Sequence, residues 1–248
     1  MHCVFGLIVT GKGEREFLPS LFRSLSARAN CSFRVEARTG QRSPITSTSR
    51  KLKMVGTGMI IPSEDEKQIG LPARRFLRGH VGRFLILVDD IERDRRPQLS
   101  ALFARYRKAL DTMLLPEERQ RASVHFFANM LEAYYFADSA ATNRALGQSV
   151  LAQDHDGDVE EIPHPKTELK RIHPGFDERA HGALIVPALD LDHVLDRSER
   201  CRFLRSLFGW CVERMSASCE VHDAELPSRF RLVDGQRAEP MRNQSTHE

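Results

Sequence analysis

Acidic residues follow two apolar stretches of the chain, in a pattern that suits metal-dependent chemistry. Glu14 ends the string TGKGE, which comes directly after the apolar residues 4–9. Asp89, Asp90 and Glu92 follow FLILV, the most apolar run in the sequence. Carboxylates gathered at strand ends bind hard cations such as Mg²⁺ or Mn²⁺, and such a cation can promote phosphodiester cleavage. The pattern therefore predicts a metal site formed by Glu14, Asp89, Asp90 and Glu92.

The glycine-rich string beside Glu14 is suited to binding phosphate. Gly11 and Gly13 allow backbone N–H groups to approach an anion at the start of a helix, and Lys12 adds a positive charge. The string lacks the G-x-x-x-x-G-K-[ST] spacing of a P-loop, which argues against nucleoside-triphosphate hydrolysis. A structural interpretation also fits, because the helix dipole favours any acid in a first turn, including Glu14.

Two later segments supply further candidates. Glu132 lies in the aromatic-rich passage 126–138, where it is a metal ligand, a catalytic base or a buried hydrogen-bond acceptor at a helix start. Lys166 and Lys170 are four residues apart, so they share one face of a predicted helix. Like charges at this spacing repel, so the pattern predicts an anion nearby, although a solvated helix face explains it as well.

The elements that must position these residues alternate along the chain. Apolar or alternating runs predict strands at residues 4–9, 32–37, 84–88 and 123–128. Amphipathic patterns predict helices at residues 14–29, 63–76, 98–115 and 131–146. Such alternation is typical of an α/β fold with a parallel sheet flanked by helices. The turn that carries Glu14 and the turn that carries Asp89, Asp90 and Glu92 are called the two acidic corners. Because ligands bind at the carboxyl ends of parallel strands, both corners should lie at one edge of the sheet.

Changes in composition divide the chain into three parts. Residues 1–146 carry the alternating pattern and predict the α/β domain. Residues 147–219 begin with an acidic, turn-rich stretch and then return to helical patterns, which predicts a helical extension packed on that domain. Residues 220–248 are polar with little periodicity and predict a mobile tail. The polar stretch 39–48 predicts a loop.

Composition limits the cellular compartments in which the protein is expected and the kinds of partner that it could bind. No apolar run approaches the roughly 18 residues that span a bilayer, so no membrane association is expected. The five cysteines are an odd number without C-x-x-C spacing, which argues against a disulfide framework and favours the cytoplasm. Arginine clusters, such as those at 74–75 and 93–96, allow binding of nucleic acid but do not require it, and a solvated face is the commoner explanation.

Several of these motifs together resemble a known family. The segments LEAYYFAD (131–138) and HPKTELKR (164–171) are the most specific, and they accompany the strand-G-x-x-E-helix start and the acidic D-x-E. In these features the chain resembles bacterial domain-of-unknown-function family 4276, which has TOPRIM-like character, over residues 4–212.

The resemblance implies a TOPRIM-like, Rossmann-like α/β fold. TOPRIM domains of topoisomerases, primases and overcoming-lysogenization-defect nucleases bind Mg²⁺ through a glutamate after the first strand and a D-x-D after a later one. Here these positions match Glu14 and the Asp90–x–Glu92 pair. The family usually reads E-G-x-x-E at the first corner, and this chain has Thr10 in place of the first acid. Some relatives accompany ATPases in apparent phage-defence operons, which implies an effector subunit with an ATPase partner.

Two hypotheses follow. The first is a Mg²⁺-dependent TOPRIM-like phosphodiester hydrolase, a nuclease acting on DNA or RNA. Its expected catalytic residues are Glu14, Asp90, Glu92 and Glu132. Its expected substrate-binding residues are Gly11, Lys12, Gly13, Lys166 and Lys170. The second is a non-catalytic interaction subunit that docks on an ATPase or on nucleic acid; Thr10 favours this second hypothesis, and the remaining acids favour the first.

Overall fold

A four-stranded, all-parallel sheet forms the centre of the structure. The structure, a computed structural model, describes residues 1–42, 54–55, 59–60, 62–196, 200–230 and 244. The strands of the sheet are β1 (Cys3–Val9), β2 (Cys31–Arg38), β5 (Arg83–Ile91) and β6 (Ala122–Ala128), and the short strands β3 (Met54–Val55) and β4 (Met59–Ile60) form a separate antiparallel pair. Their order in the sheet is β2-β1-β5-β6. This arrangement confirms the predicted α/β fold with a parallel sheet.

Helices cover the sheet and build the C-terminal part. Those before residue 147 are α1 (Lys12–Leu21), α2 (Arg23–Arg28), α3 (Leu71–Leu77), α4 (Leu99–Met113), α5 (Pro116–Arg119) and α6 (Ser139–Leu146). Those after it are α7 (Pro165–Ile172), α8 (Glu178–Ile185), α9 (Leu191–Val194), α10 (Arg202–Ser218) and α11 (Leu226–Arg229). A π-helical turn at Glu66–Gly70 and short 3₁₀ segments at Arg93–Gln98, Leu131–Ala137, Val159–Glu161 and Val186–Ala188 complete the set.

Side chains of β5 alternate between two layers of core. Phe84, Ile86 and Val88 belong to the layer that contains α1 and α10, whereas Leu85 and Leu87 belong to the layer that contains α3 and α4. Alternation follows from the strand geometry, in which successive side chains point to opposite faces. Both faces are therefore covered, and this explains why the parallel strands read as continuous apolar runs.

The predicted helix at residues 131–146 is divided at Asp138. A 3₁₀ segment, Leu131–Ala137, precedes this residue and α6 follows it. One carboxylate oxygen of Asp138 accepts a hydrogen bond from the Ala141 backbone N–H at 2.8 Å, which caps α6. The other oxygen accepts from the Asp190 N–H at 2.9 Å. The amphipathic pattern alone did not indicate this break.

Part of the segment expected to be a mobile tail is packed against the rest of the chain. Val221 forms an isolated bridge with Ala29, and both Leu226 and Phe230 are buried in the core. Further along, the Gln244 side chain accepts a hydrogen bond from the backbone N–H of Val124 at 2.7 Å and donates one to its carbonyl. The remainder of 231–248, and most of the predicted loop 39–48, lie outside the described residues.

The sequence argued against a disulfide framework, but one pair of cysteines is joined in the structure. Cys3 at the start of β1 and Cys219 directly after α10 are joined by a disulfide, with their Cα atoms 5.8 Å apart. The sequence does not reveal this pair because the two residues are 216 positions apart. Among the described residues, no helix combines the length and apolar character needed to cross a bilayer.

Candidate metal and phosphate site

A cleft of about 860 Å³ opens at the carboxyl ends of the two central strands. β1 and β5 are neighbours, while β2 lies on the far side of β1 and β6 on the far side of β5. The connections from these two strands therefore run in opposite directions, which creates the crevice where α/β sheets bind ligands. Glu14, Asp90 and Glu132 line this cleft together. The two acidic corners thus lie at one edge of the sheet, as the sequence predicted.

Glu14 is held in the cleft by its position in the first turn of α1. Gly11 is the N-cap residue of this helix, and the Glu14 side chain is only 5% exposed. The carboxylate folds back over the Gly11 Cα, so a methyl group at that position would collide with it. Gly11 has an ordinary extended backbone, with φ of −96°, so it is needed for space and not for its conformational freedom. Gly13 is different, since no atom lies within 4 Å of where its Cβ would be.

Glu14 and Asp90 are neighbouring carboxyl groups, and each has one buried oxygen without a hydrogen-bond donor among the described residues. The Glu14 Oε2 and Asp90 Oδ1 atoms are both buried, and neither has a hydrogen-bond partner within the described part of the chain. Burial, and next the neighbouring Glu14 carboxyl, raise the pKa of Asp90 well above its ordinary value. Burying an uncompensated carboxylate is costly, so the pair requires a proton or a cation between its oxygens.

Glu132 lies near this pair, on the 3₁₀ segment after β6. Its side chain is mostly buried, and its Oε1 atom is 4.0 Å from the Nζ atom of Lys166. Burial raises the pKa of Glu132, while the charge of Lys166 acts in the opposite direction. Tyr135, one turn further on, also lines the cleft.

Asp89 lies on the opposite face of the sheet from the cleft. It is fully buried, and it accepts hydrogen bonds from Thr10 Oγ1 at 2.6 Å and from the Tyr106 hydroxyl at 2.7 Å. Burial raises its pKa, and the two hydroxyl donors oppose that shift. Asp89 and Asp90 are adjacent in a strand, so their side chains point to opposite faces. The structure therefore brings Asp90, but not Asp89, into the cleft with Glu14.

Glu92 lies outside the cleft, in a smaller groove beside it. This groove has a volume of about 140 Å³, and Met130 and Lys166 line both cavities. Glu92 is exposed because β5 ends at Ile91 and the chain turns there into the segment Arg93–Gln98. The predicted D-x-E motif is thus divided between the cleft and the groove.

The predicted phosphate-binding residues surround the cleft. Gly11, Lys12, Gly13 and Lys166 all line it. Lys170 does not line the cleft.

The anion expected beside the two lysines is a residue of the chain itself. The Glu178 carboxylate lies 2.8 Å from the Lys166 Nζ atom and 3.3 Å from that of Lys170. Burial raises the pKa of Glu178, but the combined contacts with Lys166 and Lys170 outweigh burial, so this pKa lies below its ordinary value.

Other residues that line the cleft were not predicted. Arg15 follows Glu14 directly, and Arg38 is the last residue of β2. Arg38 could have been found from its place at a strand end, by the same rule that located Asp90. Glu178 and Arg179 reach the cleft from α8, where Arg179 forms an ion pair with Glu16 at 3.1 Å. No local sequence signal indicates a contact across 163 residues.

The geometry of the site is the basis for its interpretation. Comparisons with protein-family models, with curated proteins and with solved structures found no match to this chain. Its function is therefore inferred from the residues of the cleft and from their contacts.

Proposed function

We propose that the chain is a Mg²⁺-dependent or Mn²⁺-dependent phosphodiester hydrolase that acts on nucleic acid. One observation carries this proposal: Glu14 Oε2 and Asp90 Oδ1 are buried, lack hydrogen-bond partners among the described residues and line the same cleft. Carboxylate oxygens of this kind suit a hard cation. Cationic side chains at the rim, including Lys12, Arg38 and Lys166, suit an anionic substrate.

The residues present fit Mg²⁺ held with the help of water and substrate. Within the described part of the chain, no group of three or more His, Cys, Asp and Glu residues has the geometry of a metal site. Mg²⁺ usually keeps several waters and binds through one or two carboxylates together with substrate phosphates. Glu14 and Asp90 would therefore hold the ion. When bound, such an ion activates water and stabilises charge on phosphate oxygens.

The remaining polar residues of the cleft have separable roles in this proposal. Lys12 and Arg38 would bind the substrate phosphates from the rim. Lys166 would exchange its contact with Glu178 for a phosphate oxygen. Glu132, whose pKa is raised by burial, would accept or donate a proton at the reacting phosphate.

The first test measures cleavage by the purified protein. Plasmid, single-stranded DNA and RNA are incubated with Mg²⁺, Mn²⁺ or EDTA, and Glu14→Gln and Asp90→Asn are compared with wild type. Metal-dependent cleavage should be lost in both variants, because each loses one of the two unpartnered oxygens. Glu132→Gln should slow cleavage by about 100-fold or more, as expected for the loss of a general base.

A control variant and a binding measurement make this test decisive. Glu117→Gln is the matched control, because Glu117 is an exposed glutamate on α5 that does not line the cleft. Calorimetric titration with Mn²⁺ separates metal binding from turnover. The hydrolase proposal fails if wild type cleaves none of the three substrates, or if Glu14→Gln and Asp90→Asn cleave as well as Glu117→Gln.

A second candidate function is supported by Thr10. This residue stands where the resembling family has a glutamate, and its hydroxyl donates to Asp89, so it offers no carboxylate to a metal. A non-catalytic subunit that docks on an ATPase or on nucleic acid would tolerate that loss. If its partner is nucleic acid, such a subunit should bind it without divalent ions, and binding through phosphates should weaken steeply with salt.

A further inference from the structure

A smaller groove lies beside the cleft. Met130 and Lys166 line both cavities, so the groove and the cleft are neighbours that share these two side chains. The other lining residues of the groove are Glu92, Arg93, Asn129, His164, Pro165 and Thr167. They come from the ends of β5 and β6 and from the start of α7, the three segments that also border the cleft.

Arg93 is a free cation in this groove. The next two arginines of the cluster are engaged within the protein: Arg95 donates to the Arg42 carbonyl at 2.7 Å, and Arg96 is paired with Glu161. The Arg93 side chain has no hydrogen bond or ion pair with any described residue, and the residue is exposed. Among the described lining residues the only acid is Glu92. Lys166 adds a second cationic side chain, paired with Glu178 at 2.8 Å, and the His164 ring nitrogens add groups that can form hydrogen bonds.

The backbone around the groove is strained. Asn129, Met130 and His164 have φ values of 56°, 80° and 52°, and among described residues other than glycine only Cys201 shares this property. Strain of this kind persists where surrounding structure enforces it, and it concentrates at ligand-binding sites. The Asn129 side chain enforces it here, because its Nδ2 atom donates to the carbonyls of Glu160 and Ile162 at 2.9 and 3.0 Å. This contact fixes the loop that carries His164 against the end of β6.

We propose that this groove is a second phosphate-binding subsite, formed by Arg93, His164 and Lys166, for a nucleic-acid strand whose neighbouring phosphate lies in the cleft. This inference rests on the proposed function, because it takes the cleft as the reacting site. With about 30 Å³ for each water molecule, a groove of about 140 Å³ has room for a phosphate group. In this proposal the subsite binds the backbone of the strand through its phosphate.

Binding of short and long strands tests the subsite. Fluorescence anisotropy is measured with Mg²⁺ and phosphorothioate oligonucleotides, which resist cleavage, as a dinucleotide and as a dodecanucleotide. Wild type should bind the longer strand more tightly. Arg93→Gln should weaken binding of the dodecanucleotide and reduce its salt slope by about 0.7, the value for one phosphate contact with a single strand. Its affinity for the dinucleotide, which has one phosphodiester, should stay unchanged.

Two further variants complete the design. His164→Asn should weaken binding of the dodecanucleotide as well, and asparagine tolerates the left-handed backbone of this position. Arg75→Gln is the matched control, because Arg75 is an exposed arginine on α3 that lines neither cavity. It should bind both strands as wild type does.

The outcomes separate this inference from the proposed function. If wild type binds both lengths equally, or if Arg93→Gln behaves as Arg75→Gln does, the subsite is overturned even when metal-dependent cleavage occurs. If cleavage fails for every substrate but binding depends on length and on Arg93, the hydrolase proposal fails and the subsite stands.

Discussion

Gly11 and Gly13 lie in the same helix start, yet the structure gives them opposite tolerance to substitution. Gly11→Ala should displace the Glu14 carboxylate, because the added methyl group would occupy its position. Gly13→Ala should leave the site intact and stabilise the protein by roughly 0.5–1 kcal/mol, since alanine is the better helix former and nothing obstructs its Cβ. Calorimetric titration with Mn²⁺ and urea denaturation of both variants check this pair of predictions. Unchanged metal binding by Gly11→Ala would show that the Glu14 carboxylate does not need this space.

The sequence locates the acidic residues of the site but not the direction of each side chain. Glu14 and Asp90 follow from one rule, namely that polar residues at the ends of parallel strands meet at one edge. The separation of Asp89 from Asp90 follows from strand alternation, but the sequence does not say which face carries the cleft. Both faces are covered by apolar helices, so neither one is marked by its composition.

At the scale of elements, the N-terminus of α10 is capped by a buried glutamate from another part of the chain. Glu160 accepts hydrogen bonds from the N–H groups of Phe203 and Leu204 at 3.0 and 3.1 Å, and from the Tyr134 hydroxyl at 2.9 Å. Burial raises the pKa of Glu160 from 4.5 to about 7, even though these donors favour the charged form. The carboxylate is thus both a helix cap and a buried charge.

This arrangement predicts a dependence of stability on pH. Between pH 4.5 and about 7 the folded state holds a proton on Glu160 that the unfolded state has released, so stability falls as pH rises through this range. The loss attributable to Glu160 is roughly 3 kcal/mol. Glu160→Gln should lack this component, so its stability relative to wild type should increase with pH. Urea denaturation over this range measures the difference, with exposed Glu117→Gln as the control; parallel curves for wild type and Glu160→Gln would contradict the prediction.

Local sequence patterns predict the strands well and the C-terminal helices less completely. The four strands of the sheet are short apolar or alternating runs, and this pattern is local. The approach of α7 and α8 to the cleft depends on long-range contacts, such as the Arg179–Glu16 ion pair. Both partners of that pair are exposed charged residues, and no spacing rule selects them from the other charged residues of the chain.

At the scale of the whole molecule, the disulfide joins the first strand to the end of α10. Cys219→Ser should lower the free energy of unfolding by roughly 2–5 kcal/mol, because the unfolded chain is no longer closed over 216 residues. Reductant should destabilise wild type to a similar extent and should leave the variant unchanged. Urea denaturation with and without dithiothreitol measures this, and alkylation followed by mass spectrometry identifies the free thiols. Full alkylation of Cys3 in unreduced wild type would contradict the bond.

The hydrogen bonds between Gln244 and Val124 have a consequence for how copies of the chain meet. Within the described residues, β6 is the outermost strand of the sheet, and the Gln244 amide binds both backbone groups of Val124 as a neighbouring strand would. An unprotected outer strand is a template for pairing with another chain. A chain that ends before Gln244 would present these groups to its neighbours, so removal of the last residues favours self-association through β6.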